Sequence, residues 1–412
     1  MKKQGFMNTT SAKRIKAAAA VLCLIAAVIT FVLGGIRLSA SAGNYTFLKT
    51  DTFHLVPEED ADHEDETVVS VEFATADGAY TMTLDFEFDA YTALSVDTKL
   101  EGYIYTTEDG DYLAFGSEPT AKEIKKADRD MHADEYSMLF GAGMAAALVA
   151  ISLGVVTVFG RFFTSYEQIW FLSIMALAAV FSLLFPEESA NGVNGLVIMA
   201  LYLMDTFLNI LCELLISKQS KWNFIVSVFV EITEIAICVV LMYRFATMAS
   251  TLFFWLPCDI ISFINWHRHP DKQEEELTVV RTLKGWQEAA IIAGIVVWTV
   301  GVGYFLTTLD LGSDFFKSRT LEVVVCYMDA CVSAVAIVNG VFILLRLREQ
   351  WIAWYIDAIL EGVINILSGQ YVLLILKLGY LTNTTYGYVK WTKYIKHAQT
   401  AAEALPEAEK KE

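Results

Sequence analysis

The chain has 412 residues, 55% of them hydrophobic and 13% aromatic, with a formal net charge of −18. A mean hydropathy of +0.45 excludes a water-soluble enzyme carrying one stray anchor. The charge is local: residues 43–135 hold 24 acidic and 6 basic side chains and the remainder is neutral, which argues against a nucleic-acid partner.

In chain order, Lys2, Lys3, Lys13, Arg14 and Lys16 precede an apolar run from Ala17 to Ile36. Basic residues stay on the cytoplasmic side, so the N-terminus is expected inside. Ala40-Ser41-Ala42 resembles a signal-peptidase site, but the length of the run fits a retained anchor. Residues 43–135 read as an exported, β-rich domain. Val69–Phe73 and Tyr80–Phe88 alternate with period two around Ala76-Asp77-Gly78, and Tyr103–Tyr105 and Tyr112–Phe115 flank Glu108-Asp109-Gly110. The acidic run 58–66 lacks the glycine and ligand spacing of a calcium loop and reads as solvated.

Nine further apolar stretches follow, near 137–160, 165–185, 193–216, 222–243, 246–265, 286–308, 320–345, 350–367 and 370–394. Each is about 20 residues, the length a helix needs to cross ~30 Å of hydrocarbon. Ten crossings with both termini inside satisfy the positive-inside rule, leaving only Arg244, Lys317 and Arg319 in outer loops. All six cysteines lie in apolar stretches, so no disulfide framework is expected. All six histidines lie outside them, and no HExxH or GxxxxGK occurs, so no metal, nucleotide or other cofactor is expected.

The third to fifth and the seventh to ninth of these stretches read as two copies of one unit. Each copy has a short basic loop closed by Trp222 or Trp351, and each ends on a Trp beside a basic cluster, at Trp266 and Trp391. With the single stretch 286–308 between them, the copies share one orientation, a parallel 3+1+3 repeat of the kind transporters use. The fold class expected is thus an all-α polytopic bundle preceded by extra helices and a small β-rich domain. Its parts are 1–42, basic tail and signal anchor; 43–135, acidic domain; 136–190, two additional membrane helices; 191–396, the 3+1+3 core; and 397–412, a cytoplasmic tail.

Matched polar stripes mark the core. Asn223, Ser227, Glu231 and Glu234 share one helical face, as do Trp354, Asp357, Glu361 and Asn365 in the corresponding stretch of the second copy. A carboxylate at the bilayer centre costs roughly 2.5–3.5 kcal/mol, so it faces a partner, such as Lys377, or a cavity. Two matching stripes favour a polar cavity. Asp205, Asp259 and Asp329 are further intramembrane acids, and Pro257 removes a backbone donor and kinks the chain beside Asp259. Trp391 and Trp266 read as interfacial anchors, whereas Trp354 falls on the acidic stripe.

These residues carry a resemblance. Gln350-Trp351-Ile352-Ala353-Trp354, then Gly369-Gln370-Tyr371, then Gly387-Tyr388-Val389-Lys390-Trp391 resemble the C-terminal signature of PnuC-type nicotinamide riboside transporters. Tyr327-Met328-Asp329, Pro257-Cys258-Asp259 and Glu167-Gln168-Ile169-Trp170 are similar to that family too. The resemblance spans about 161–396. It implies a homotrimer that passes nicotinamide riboside down its gradient, with Trp351 and Trp354 forming the pocket and Asp259 and Tyr371 contributing. Two features depart from the family: Ala358 stands where Asn or Asp is usual, and the front of the chain is additional.

A pyridinium ring stacked on Trp gains a cation–π term of roughly 0.5–2 kcal/mol, and ribose hydroxyls suit Asp357, Glu361 and Asn365. The expected partners are therefore a small vitamin-like molecule, the lipid bilayer and further copies of the chain. Two other readings stand beside this one. The same fold could carry thiamine or riboflavin, given Ala358, or the exported domain could make the chain a sensor, against which the short C-terminal tail counts. An intramembrane enzyme is disfavoured, because no nucleophile–base pair is recognisable.

Overall fold

The computed structural model describes residues 6–40, 45–56, 68–95, 97–107, 110–217, 222–268, 283–309, 318–344 and 349–403. The acidic run 58–66, the basic positions 2–3, 218, 221, 272, 281, 346 and 348, and Ser41-Ala42 lie outside the described residues. The chain divides into two compact units, Thr30–Phe140 and Met1–Ile29 with Gly141–Glu412.

A first helix, α1 (Thr10–Ala40), covers the leading apolar run and its basic approach. In the unit that follows, β1 (Thr46–Leu55), β2 (Val68–Thr75), β3 (Thr81–Glu87), β4 (Lys99–Thr106) and β5 (Tyr112–Phe115) pair antiparallel in the order β3-β2-β1-β4-β5. The short helix α2 (Phe88–Thr92) follows β3, and α3 (Ala121–Met131) follows β5. Both expected hairpins are present, turning at Gly78 (φ 67°) and Gly110 (φ 94°), where the left-handed backbone favours glycine.

Sequence reading overlooked the central strand, β1. A bulge between Phe47 and Lys49 breaks its alternation, so its inward residues do not follow one period-two pattern. Its Phe53 is fully buried with Val69, Phe73 and Ile104 in the core of this unit. A Cβ on Gly102 would lie 2.4 Å from the Phe53 ring, so only glycine lets that ring cross β4. Tyr112 Oη accepts from the Thr81 N–H at 3.1 Å, drawing edge strand β5 towards edge strand β3 and shielding both.

The remaining helices are α4 (Ala133–Val158), α5 (Ser165–Leu184), α6 (Gly195–Ser217), α7 (Trp222–Leu241), α8 (Phe245–Ser250), α9 (Leu256–Arg268), α10 (Gly285–Thr308), α11 (Arg319–Leu344), α12 (Gln350–Leu367) and α13 (Tyr371–Glu403). They fall on the apolar stretches read from the sequence, except that α13 continues into the expected tail. Between α8 and α9 a π-helical turn, Thr251–Trp255, joins the two into one continuous rod. Pro257 explains it: its ring would strike the carbonyl four residues earlier, and the chain widens to avoid that clash.

Seven of the described helices are long and apolar enough to cross a membrane. The α8–α9 rod, α12 and α13 fall short by this measure, the rod through its interruption and the other two through their polar and charged residues. Phe171, Met175, Ile198, Tyr202, Ile210, Ile364 and Leu376 form the buried heart of the bundle. Outward apolar side chains such as Val297, Phe253 and Val158 are more than 70% exposed, as lipid-facing residues are in the absence of lipid.

One buried charge fastens α1 within its unit. Lys16 is 5% exposed, and its Nζ donates to Gln168 Oε1 (2.6 Å) and to the carbonyls of Met7 (3.0 Å) and Val156 (3.2 Å). Gln168 Nε2 in turn donates to the Gly160 carbonyl at 2.8 Å, closing the turn between α4 and α5. Thr164 and Glu167 cap α5 reciprocally, which fixes where the helix begins and so where Gln168 sits in its first turn.

Candidate functional site

Two cations organise the core of the bundle, and both sit where the chain changes direction or polarity. Arg244 occupies the turn between α7 and α8, where Met242 (φ 51°) and Arg244 itself (φ 57°) adopt left-handed backbone that non-glycine residues rarely take. The sequence reading put Arg244 in an outer loop. It is instead 8% exposed and points inward, because this backbone reversal aims the side chain back at the bundle. Its Nη2 donates to Glu361 of α12 and to Thr247 Oγ1 (3.3 Å), and its Nε lies 3.7 Å from Asp329 of α11.

Asp329 is fully buried and also accepts from the backbone N–H groups of Ala246 (2.8 Å) and Thr247 (3.2 Å) and from the Thr247 hydroxyl. It thereby caps α8 with a carboxylate supplied by another helix. Lys377 of α13 pairs with the other oxygen of Glu361 and lies 4.8 Å above the Tyr380 ring. The Tyr380 ring centre is 5.5 Å from that of Trp354, and its hydroxyl donates to Asn209. A continuous path of contacts thus runs Trp354, Tyr380, Lys377, Glu361, Arg244, Asp329. With the Asn339 amide oriented to satisfy both neighbours, its oxygen accepts from Trp354 Nε1 (2.9 Å) and its nitrogen donates to the Gln350 carbonyl (3.1 Å).

Other carboxylates surround this path with hydroxyl or amide partners rather than cations. Thr233 donates to Asp205 (2.8 Å), Asn383 to Glu213, Ser227 to Asp259, and Thr251 to Glu234 (2.8 Å). Glu231 is 7% exposed and its Oε2 has no hydrogen-bond partner; the same holds for Asp357 Oδ1 and for both amide atoms of Asn365, which is fully buried. Among the described residues, six buried carboxylates in this core (Asp205, Glu213, Glu231, Asp259, Asp329 and Glu361) face two buried cations, Arg244 and Lys377. Burying ions without partners is costly, so an imbalance of this size marks a place for a cation or for bound protons.

Of the predicted residues, Trp354 and Glu361 join the central path, and Asp357 and Asn365 share their helix. Glu231, Glu234 and Asp259 lie on α7 and α9, which pack together. Asn223 and Trp351 stand half-buried in the first turns of α7 and α12, away from the ion pairs. Tyr371 is not brought to the path: its ring stacks on Phe185 with centroids 4.4 Å apart. The expected open polar cavity is, in this conformation, a polar core closed by ion pairs, since Arg244 and Lys377 occupy the carboxylate at its centre.

Sequence reading passed over Arg244, Tyr380, Asn209, Glu213, Asn339 and Asn383 as functional residues. Arg244 had one detectable signal, as a rare basic residue on the outer side of a positive-inside pattern. Tyr380 follows Lys377 by three residues, one helical turn, but tyrosine in an apolar stretch carries no distinguishing mark.

Residues 199–393 match the sequence profile of the nicotinamide mononucleotide transporter family. The segment 199–393, just under half of the chain, thus resembles the PnuC-type transporters. It is similar to the nicotinamide riboside transporter PnuC of Neisseria mucosa, 25% identical over 246 residues that cover 57% of this chain and 83% of that protein. It is also similar to the PnuC of Haemophilus influenzae, 24% identical over 238 residues, 56% of this chain and 91% of that protein. A crystal structure of the vitamin B3 transporter PnuC aligns with a TM-score of 0.42 at 24% identity, covering 57% of this chain and 94% of that one.

The protein is accordingly a multi-pass membrane transporter. All ten predicted site residues, together with Arg244, Asp329, Lys377 and Tyr380, fall inside the segment that matches the family profile, whereas α1, the five-stranded sheet, α4 and α5 precede it.

Proposed function

We propose that this PnuC-type transporter imports nicotinamide riboside by facilitated diffusion, through alternating access of a site at the interface of two three-helix repeats. The repeats are α6, α7 and the α8–α9 rod, and α11, α12 and α13, with α10 between them. The observation that carries the substrate reading is the excess of buried carboxylates over buried cations around Trp354. A positively charged aromatic nucleoside supplies the missing charge and a ring for Trp351 and Trp354 to stack against.

In this reading Asp357 and Glu361 answer the pyridinium charge. The unpartnered amide of Asn365 takes a ribose hydroxyl, since a buried amide with no partner is costly unless a ligand completes it. Glu231, Glu234 and Asp259 supply the acidic side from the first repeat, with Asn223 at the start of α7. The chain lies in a bacterial plasma membrane with both termini cytoplasmic and residues 43–135 outside, and it assembles as a homotrimer. The domain limits proposed are those read from the sequence, 1–42, 43–135, 136–190, 191–396 and 397–412.

One observation favours a second substrate. Ala358 is 2% exposed and belongs to the apolar core cluster, so the polar group usual at this position of the family is replaced by a methyl. Thiamine or riboflavin transport on the same fold follows if that group is required for the riboside. Uptake of labelled nicotinamide riboside into proteoliposomes, with thiamine and riboflavin as competitors, tests both. Saturable uptake that resists both competitors supports the riboside; no uptake, or uptake abolished by one competitor, moves the substrate to another vitamin.

A further inference from the structure

Beside the turn that carries Arg244 is a narrow cleft with an internal volume of about 30 Å³, lined among others by Tyr243, Arg244, Phe245, Glu322, Cys326 and Asp329. It lies at the C-terminal end of α7 and the N-terminal end of α11, the end of the bundle opposite the basic approach to α1. Its wall combines two acidic and two aromatic side chains, a chemistry suited to an aromatic cation. Its floor is Arg244, whose Nε is buried without a hydrogen-bond partner and whose Nη2 is locked to Glu361.

We propose that this cleft is the extracytoplasmic mouth of the substrate path and that Arg244 is its gate, held shut by the pair with Glu361. The gate lies directly between the cleft and the path that leads through Lys377 and Tyr380 to Trp354. Opening requires only that one turn of chain move. That turn holds two residues in left-handed backbone, Met242 and Arg244, so it is the point at which a change of φ and ψ swings the guanidinium clear. The two anchors of Arg244 divide the work: Asp329, fixed by the N-terminus of α8, keeps the side chain attached to the turn, while Glu361, on α12, is the contact that breaks. The sidedness of the cleft rests on the orientation proposed above; the existence of the gate does not rest on the substrate.

Cys326 is a native reporter, half-buried on the cleft wall one helical turn from Asp329. The experiment uses full-length protein retaining only this cysteine, in intact cells. Labelling is followed with a membrane-impermeant, positively charged methanethiosulfonate reagent, for Arg244 and for Arg244→Gln. The proposal expects labelling from outside about tenfold faster in Arg244→Gln, the change produced by moving a closed–open equilibrium by one decade. Glu361→Gln, which breaks the same contact from the other side, gives the same acceleration and covers the case in which Arg244→Gln does not fold. Equal rates in the parent and in whichever variants elute as folded protein would overturn the gate. Labelling only after the membrane is permeabilised would overturn the assignment of this mouth to the outside. Because labelling needs no substrate, a protein that fails to carry nicotinamide riboside yet shows gated labelling refutes the substrate and leaves the gate standing.

Discussion

Arg244 and Glu361 meet although 117 residues separate them, one on a reversing turn and the other in mid-helix. Glu361 holds Lys377 with its second oxygen, so one carboxylate joins the turn after α7 to α12 and α13. Its removal is therefore felt in three places.

Glu361→Gln leaves Arg244 with Asp329 alone and takes the ion-pair partner from Lys377. The expected cost is about 3–5 kcal/mol, the range for breaking a buried pair from one side. Combining it with Lys377→Met, which removes one orphaned cation, recovers part of that loss. Thermal unfolding in detergent for the two single variants and the double one measures the coupling; strictly additive losses would show that Lys377 and Glu361 are not paired in solution.

Trp354→Ala removes the ring packed on Tyr380, and the KM for uptake is expected to rise about tenfold, within the range of a cation–π contact. Trp354→Phe keeps a ring and loses the N–H to Asn339, so its KM should move only a few-fold. An alanine variant that transports like the parent at equal expression removes Trp354 from the site.

Asp357→Asn preserves shape and deletes charge. Affinity for the cationic riboside is expected to fall by roughly tenfold, ~1.4 kcal/mol, while affinity for its uncharged dihydro analogue stays put. Tryptophan fluorescence titration of both ligands gives the comparison. Equal losses for the two would mean that Asp357 recognises shape rather than charge.

The sheet-bearing unit makes a pH prediction. The Thr120 backbone N–H (2.7 Å) and hydroxyl (2.7 Å) donate to Glu123, holding its carboxyl below the usual range. A depressed carboxyl stabilises the fold above its unfolded pKa of about 4.3, and that contribution is lost as pH falls through the lower folded value. Amide exchange protection in the first turn of α3, corrected for intrinsic rates, should therefore be full at neutral pH and decline below about pH 4. Thr120→Ala should lower it at neutral pH and flatten the decline.

What was legible in the sequence followed from length and period. Ten apolar stretches announced ten rods, and the two hairpins of the β unit were visible through Gly78 and Gly110. Strand β1 was hidden by its bulge, because alternation is informative only while the register runs unbroken. The stripes on α7 and α12 were visible as helical spacing, yet spacing says nothing about what lies opposite. Glu361 could be placed on a face, but its partners Arg244 and Lys377 come from elements 117 residues before it and one helix after it. Asp329 was visible as an intramembrane acid; its task of capping α8 depends on a turn whose backbone could not be read from residue types.

The buried ammonium of Lys16 carries a consequence for biogenesis. Two of its three acceptors, the Val156 carbonyl and the Gln168 amide, lie 140 and 152 residues downstream. During synthesis the leading helix enters the bilayer before those acceptors exist, and Lys16 waits at the water boundary until they arrive. This early helix is thus completed late, and its final depth is set by a turn the ribosome has yet to reach.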